Sequence, residues 1–279
     1  MFDIVRNVND LRERVASWRD EGLSIGLVPT MGALHLGHMA LVARSLETCD
    51  RTLATLFINP KQFGEGEDLE SYPRGEQKDA AKFEAAGTHL LFAPTLDEMY
   101  PDGYSTGVRV GRLGDVLDGV HRPGFFDSVA TVVSKLLNQA GADRAFFGKK
   151  DYQQLLVIKR MARDLDILTV IEGVETVRED DGLALSSRNV YLSDEERQVA
   201  PVLFKTLTAV AQSVRAGNDV ATQEAWGREQ LLSAGFSSVD YFSVHDAETL
   251  QPGLDARCPG RVLAAAKLGR ARLIDNVQA

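Results

Sequence analysis

Cysteine is almost absent: two residues in 279, Cys49 and Cys258, far apart in the sequence. Two distant thiols cannot build the disulfide framework of a small secreted domain or a four-thiolate zinc site. A reducing compartment fits. The chain also lacks a basic excess, since 40 acidic residues outnumber 31 lysines and arginines and leave a net charge of −9. That balance argues against a nucleic-acid partner, whose affinity comes largely from neutralised phosphates. It is silent on one small anion held by a few local cations. No stretch reaches the roughly 18 apolar residues that a membrane helix needs, and the opening MFDIVRNVNDLRERVASWRDEG carries acids and arginines where a signal peptide has an apolar centre. An unprocessed cytoplasmic protein with no membrane partner is expected. Glycine (24) and proline (9) are at ordinary levels, which excludes collagenous and disordered chains.

What is present reads as a folded protein: 44% hydrophobic and 25% charged residues, in a length that at about 150 residues per domain makes one large or two modest domains. An amphipathic helix spans Val8 to Asp20. The apolar run Ser24 to Thr30, bounded by turn formers, predicts a buried parallel strand, the first of the sheet. Gly32 makes a turn, His38 to Glu47 shows helical spacing, and Leu53 to Ile58 is strand-like, which completes a βαβ unit. The alternation continues with a helix at Gln77 to Ala86, a strand at His89 to Ala93, a helix at Val129 to Gln139, a strand at Arg144 to Phe147, a helix at Asp151 to Asp164 and a strand at Leu168 to Gly173. It predicts an α/β fold, a Rossmann-like doubly wound parallel sheet over residues 1–176. Beyond Thr176 come a polar loop, helices at Asp194 to Ala216 and Gln223 to Ser233, and strands at Val239 to His245, Arg261 to Lys267 and Ala271 to Ile274. Their short turns favour antiparallel pairing, so residues 177–279 are expected to form a smaller α+β lid domain. The segments 62–75 and 100–126 read as long loops over the carboxyl edge of the sheet, where function concentrates.

Four segments can carry chemistry. PTMGALHLGH (Pro29 to His38) joins the first strand to its helix. Amides at a helix N-terminus bind phosphate, the glycines Gly32 and Gly37 permit close approach, and His35 and His38 share a face. The same histidine pair has metal-ligand spacing or a purely structural use, and no third ligand lies nearby in sequence. FGKKDYQQ (Phe147 to Gln154) also sits where a strand gives way to a helix, so by the switch-point rule both segments face one crevice. Lys149 and Lys150 can neutralise phosphate there; alternatively this is a solvated helix start with Asp151 as its cap. DGLALSSRN (Asp181 to Asn189) offers two hydroxyls and an arginine as a phosphate clamp, or is an ordinary polar linker. FINPKQF (Phe57 to Phe63) displays Asn59 and Gln62, neutral amides suited to a hydroxy acid, or simple loop scaffolding.

Together the four segments, with DLESYPR at 68–74, VSKLLN at 133–138 and the terminal ARLIDN, resemble the pantothenate synthetase (pantoate:β-alanine ligase) family of the nucleotidylyltransferase superfamily. The resemblance runs from Gly22 to Asn276. HxGH alone marks only the superfamily; the combination is specific. Leu36, Lys78, Phe125, Ser128 and Lys149 depart from the family pattern around the motifs.

The resemblance implies an ATP-dependent, AMP-forming ligase that joins pantoate to β-alanine through pantoyl adenylate, with Mg²⁺ accompanying ATP and its protein ligands unspecified. By residue-wise carry-over, His35, His38 and Lys150 are catalytic. Met31, Gly32, Ala33, Leu34, His35, Leu36, Gly37 and His38 line the ATP site with Gly148, Lys149, Lys150, Asp151, Val177, Leu185, Ser186, Ser187 and Arg188. Gln62 and Gln154 hold pantoate, and Gln62 also meets β-alanine. A homodimer is implied. The rival readings are an adenylyltransferase acting on a phosphate acceptor, which would call for more cations than the glutamine pair supplies, and a non-catalytic ATP sensor. A tRNA-dependent enzyme lacks its anticodon-binding domain here.

Overall fold

A computed structural model describes residues 2–64, 66–67, 69–253 and 259–279. The chain divides into two compact units, each described in its own right: Met1–Gly114, Arg122–Lys149 and Gln154–Glu175 in the first, and Asp115–His121, Lys150–Gln153 and Thr176–Ala279 in the second.

The first unit is built on six parallel strands: β1 (Asp3–Val5), β2 (Ile25–Thr30), β3 (Arg51–Leu56), β4 (Leu90–Phe92), β5 (Arg144–Gly148) and β6 (Val170–Val174). Their order across the sheet is β1-β4-β3-β2-β5-β6. Ser24 to Thr30 is therefore the second strand. β1 escapes sequence reading because three residues carry no periodicity. From β2 the chain winds one way through β3 to β4, then returns to place β5 on the other side of β2, so the order reverses between β2 and β5. α1 (Val8–Asp20), α2 (Leu36–Thr48), α3 (Glu76–Ala85), α4 (Leu96–Met99), α5 (Asp118–His121), α6 (Phe125–Ala140) and α7 (Tyr152–Asp164) follow in chain order, α5 belonging to the second unit.

Burial on both faces explains the continuous apolar runs. Val28, Ala54, Leu91 and Phe146 pack with Leu41 and Val42 of α2 and Phe83 of α3. Leu27, Leu53 and Leu90, which alternate to the opposite face, are also fully buried. Each such leucine contributes about 1.5–3 kcal/mol. Gly26 is the point of closest approach: a Cβ there would lie 2.2 Å from Ser45 Oγ of α2, so a side chain would push the helix off the sheet.

The second unit carries an antiparallel sheet of β7 (Ser238–Asp246), β8 (Gly260–Leu268) and β9 (Ala271–Gln278), in that order. Leu203, Leu207, Val210 and Leu231 of its helices pack on Phe242, Val244, Val262 and Ala264. The single helix expected at Asp194 to Ala216 is two: α8 (Asp194–Val199) and α9 (Val202–Arg215), followed by α10 (Val220–Ala234). Pro201 separates α8 from α9, because proline lacks the N–H that a continuous helix would use. Cys49 is a buried free thiol; Cys258 lies outside the described residues, as does Asp68 of the DLESYPR stretch. Among the described residues no helix is long and apolar enough to cross a membrane.

Candidate active site

β2 and β5 are neighbours in the first unit, and the strand order reverses between them. Ligands of open parallel sheets bind at the carboxyl ends of such strands. The segment leaving β2 is Met31 to His38, and the one leaving β5 begins at Lys149, so the topology brings the two motifs to neighbouring strand ends.

The histidines are built into the start of α2. His35 is its N-cap, and its Nδ1 accepts from the amide of Gly37 at 3.1 Å. His38 Nδ1 accepts from the amide of His35 at 3.3 Å, and the ring centroids are 4.2 Å apart. This reciprocal arrangement is a capping box in which both side chains are imidazoles. A nitrogen that accepts an amide hydrogen carries no proton, so each neutral ring holds its hydrogen on Nε2. Two N–H donors are thereby preset in one tautomer, as a site that stabilises phosphate charge requires. Leu36, a departure from the family pattern, is 70% exposed and takes no part in the core.

The turn before the cap is held by a residue outside the four segments that carry chemistry in the sequence. Asp79 of α3 is buried; its Oδ2 accepts from the Ala33 amide at 2.8 Å and its Oδ1 from the Leu34 amide at 3.0 Å. Lys82 Nζ donates to the Leu34 carbonyl at 2.5 Å. Gly32 and Ala33 both have positive φ, 86° and 53°, and a Cβ on Gly32 would sit 3.0 Å from Asp79 Oδ2. The amides of Ala33, Leu34, His35 and Gly37 are thus already given to protein acceptors. This shifts the expected phosphate grip from backbone amides towards the imidazole edges.

Gln62 ends a short 3₁₀ turn after β3, Pro60–Gln62. Its Oε1 accepts from Nδ2 of the fully buried Asn59 at 3.0 Å, which orients the amide so that its NH₂ is the group offered to a ligand. Asn59 Oδ1 in turn accepts from Tyr100 Oη at 3.1 Å. Burial pushes the Tyr100 phenol up to about 12, so it remains a donor throughout the physiological range. Arg122 ties the same turn down, reaching the Gln62 carbonyl at 3.1 Å and Glu67 at 2.6 Å. Phe125, another departure, lies under the Arg122 guanidinium at 3.6 Å.

The two lysines have separate fates. Lys149, in the first unit, pairs with the exposed carboxylate of Glu175. Lys150 clusters with the second unit, its side chain only 18% exposed and its Nζ 3.8 Å from Asp151 Oδ1. The adjacent glutamines differ too. Gln153 is buried and committed to structure, accepting from the Asp118 amide at 3.1 Å and donating to the Val116 carbonyl at 2.7 Å. Gln154, in the first unit, is half-buried on α7.

In the second unit, Val177 and Leu185 are joined by a backbone hydrogen bond of 3.0 Å. Ser186 caps a 3₁₀ turn, Ser187–Tyr191, accepting from the Arg188 amide at 3.2 Å. Arg178 holds the preceding loop through a bidentate ion pair with buried Asp275, at 2.6 and 2.9 Å. Among the described residues, no three His, Cys, Asp or Glu side chains converge as a metal site.

A family profile described as pantoate-beta-alanine ligase matches residues 3–278. Among curated proteins, the pantothenate synthetase of Paramagnetospirillum magneticum is 57% identical over 98% of this chain and 96% of its own, and that of Rhodospirillum rubrum is 51% identical over 98% of each. Among solved structures, pantothenate synthetase from Thermus thermophilus is 46% identical with a TM-score of 0.91, over 99% of this chain and 98% of that one. Pantoate-beta-alanine ligase from Francisella tularensis, solved with beta-gamma ATP and beta-alanine, is 30% identical with a TM-score of 0.84, over 99% and 97%. Matched along its whole length in profile, sequence and structure, this chain belongs to the pantoate-beta-alanine ligase family.

Proposed function

We propose that the chain condenses pantoate with β-alanine at the expense of ATP. The observation that carries this reading is the full-length match to pantothenate synthetases, with the His35–His38 capping box intact after β2. A pantoate carboxylate oxygen attacks the α-phosphorus of ATP, the bond from that phosphorus to the bridging oxygen breaks, and pyrophosphate leaves. The neutral amine of β-alanine then attacks the acyl carbon of pantoyl adenylate. AMP departs as the acyl–oxygen bond breaks, the amine nitrogen loses a proton, and pantothenate is formed.

The first step needs in-line positioning and stabilisation of charge growing on phosphate oxygens. The preset Nε2–H groups of His35 and His38 and the ammonium of Lys150 are the donors we assign to it. Ser186, Ser187 and Arg188 take the leaving phosphates. Met31 to His38, Gly148 to Asp151, Val177 and Leu185 line the nucleotide. Gln62 and Gln154 hold pantoate, with Gln62 serving β-alanine afterwards. Mg²⁺ accompanying ATP would supply charge neutralisation at its phosphates when bound. We also assign the protein to the cytoplasm and to a homodimer.

Product analysis with ATP, Mg²⁺, pantoate and β-alanine, each omitted in turn, tests the reading. The complete mixture should give pantothenate, AMP and pyrophosphate. Without β-alanine, at most about one pyrophosphate per site should appear, because a site closed to water retains the adenylate. Steady ADP formation, or AMP formation that ignores pantoate, overturns it.

A further inference from the structure

The terminal ARLIDN motif sits on β9, remote in sequence from every residue assigned to the reaction above. Strands alternate between faces, and residues 271–274 of β9 follow that rule in their burial. The alternation continues through Asp275 and breaks at Asn276, leaving two consecutive polar residues that are each 4% exposed. Buried polar groups persist where they are hydrogen-bonded, and the partners of this pair lie beside two arms of the candidate site.

Asn276 Nδ2 donates to the main-chain carbonyl of Lys150 at 2.9 Å. The orientation of its amide is chemically fixed. Arg261 Nη1 donates to Asn276 Oδ1, and because a guanidinium has no acceptor, the oxygen must face it and the NH₂ must face Lys150. Arg261 is itself held, stacked over the Tyr152 ring at 3.8 Å. Asp275 Oδ1 accepts from the Asn276 amide at 2.8 Å while its carboxylate clamps Arg178, whose Nη1 also reaches the Gly182 carbonyl at 3.0 Å. All these residues lie in the second unit.

Lys150 occupies a single 3₁₀ turn, Lys149–Asp151, which has few bonds of its own to fix it. We propose that Asn276 is a positioning residue for Lys150: it anchors the Lys150 carbonyl to β9 and so sets where the ammonium stands against the phosphates. Through Asp275 and Arg178 the same strand end holds the loop that leads to Leu185 and Arg188. The proposal rests on the assignment of Lys150 to phosphate charge. Asn276 touches no substrate and acts through Lys150.

Asn276→Asp isolates the bond. It keeps an oxygen for Arg261, removes the donor to Lys150 and leaves the side-chain size unchanged. Single-turnover pyrophosphate release with saturating pantoate should slow about tenfold or more, with the apparent KM for ATP within about threefold of wild type. In a Lys150→Ala background the same change should cost less than about twofold, because a residue that acts through Lys150 has nothing left to position. If the extra buried carboxylate prevents folding, Asn276→Ser removes the contact without added charge, and the same cycle is run with it. A folded variant with wild-type adenylation, or a full tenfold loss in both backgrounds, overturns the proposal. Absence of AMP formation by the unaltered protein would instead overturn the ligase reading.

Discussion

Asp79→Asn puts the turn before the histidine cap to the test. The carboxylate accepts two amide hydrogens, from Ala33 and Leu34, and hydrogen bonds to a charged group are worth about 1.5–3 kcal/mol each. Asparagine keeps one acceptor and turns an NH₂ towards the other amide. One charged bond is lost, and one amide has no acceptor in a buried place. The turn needs that support, since Ala33 stands at φ 53°, where a residue with a Cβ costs about 1–2 kcal/mol. The expected loss is about 2–4 kcal/mol of stability, read as a lower midpoint in urea denaturation. A displacement of even about 1 Å in the residues that follow, His35 among them, should slow single-turnover adenylation by about 10- to 100-fold. Adding Ala33→Gly should recover about 1 kcal/mol or less, because glycine accepts positive φ but gains freedom in the unfolded chain. A variant within about 0.5 kcal/mol of wild type in stability and within twofold in rate would show that the turn holds itself, and the reasoning would fail.

His38→Ala should slow adenylation by about 100-fold or more with a smaller effect on apparent ATP affinity; a rate within about threefold would make the ring structural. Gln62→Ala and Gln154→Ala should each weaken pantoate binding by about 1–3 kcal/mol and leave ATP binding nearly intact, as calorimetric titration would read; unchanged pantoate affinity and turnover would relocate the acid pocket. Lys149 is already spent on Glu175, so Lys149→Glu should change kcat/KM for ATP by less than about tenfold, in a salt-sensitive way. Lys150→Ala should cost far more at any ionic strength, and equal damage from the two would show that the site was rebuilt around Lys149. His89 accepts from the Thr52 amide at 3.0 Å, and burial lowers its pKa. A depressed histidine contributes stability that is present above its unfolded value of about 6.5 and is lost as pH falls below it. The unfolding midpoint of wild type should therefore drop more steeply below that pH than that of His89→Gln, and parallel curves would sink the argument.

The parallel strands were legible because burial on both faces writes itself as an unbroken apolar run; Ile25 to Thr30 is the clearest case. The turn at Gly32 was legible because its residue type follows from what a strand exit demands. Other features depend on neighbours that meet only in the folded chain. β1 owes its existence to β4, with which Asp3 to Val5 pair. Asp79 meets the turn across about 45 positions and Asn276 meets Lys150 across 126, and no local spacing encodes either contact. Their one trace in the sequence is a polar residue in a stretch that folds inward. Asn59 sits in FINPKQF beside the glutamine it orients, so proximity made it readable, whereas its bond to Tyr100 was not.

The capping box of α2 ties heredity to chemistry at two codons. In most enzymes a catalytic side chain can drift once selection for the reaction relaxes, and its loss often relieves strain. Here His35 and His38, beside the role we propose for them, supply the acceptors for the first amides of their helix, and losing a cap costs about 1 kcal/mol. A lineage that no longer needed the reaction would still be selected to keep a cap at position 35, but Ser, Thr, Asp and Asn are the stronger N-caps, so imidazoles surviving at both positions in a diverged descendant would point to chemistry rather than to folding. Mutational libraries sorted for thermal survival alone should admit Ser, Thr, Asp or Asn at position 35, whereas a screen for adenylation should keep the histidine.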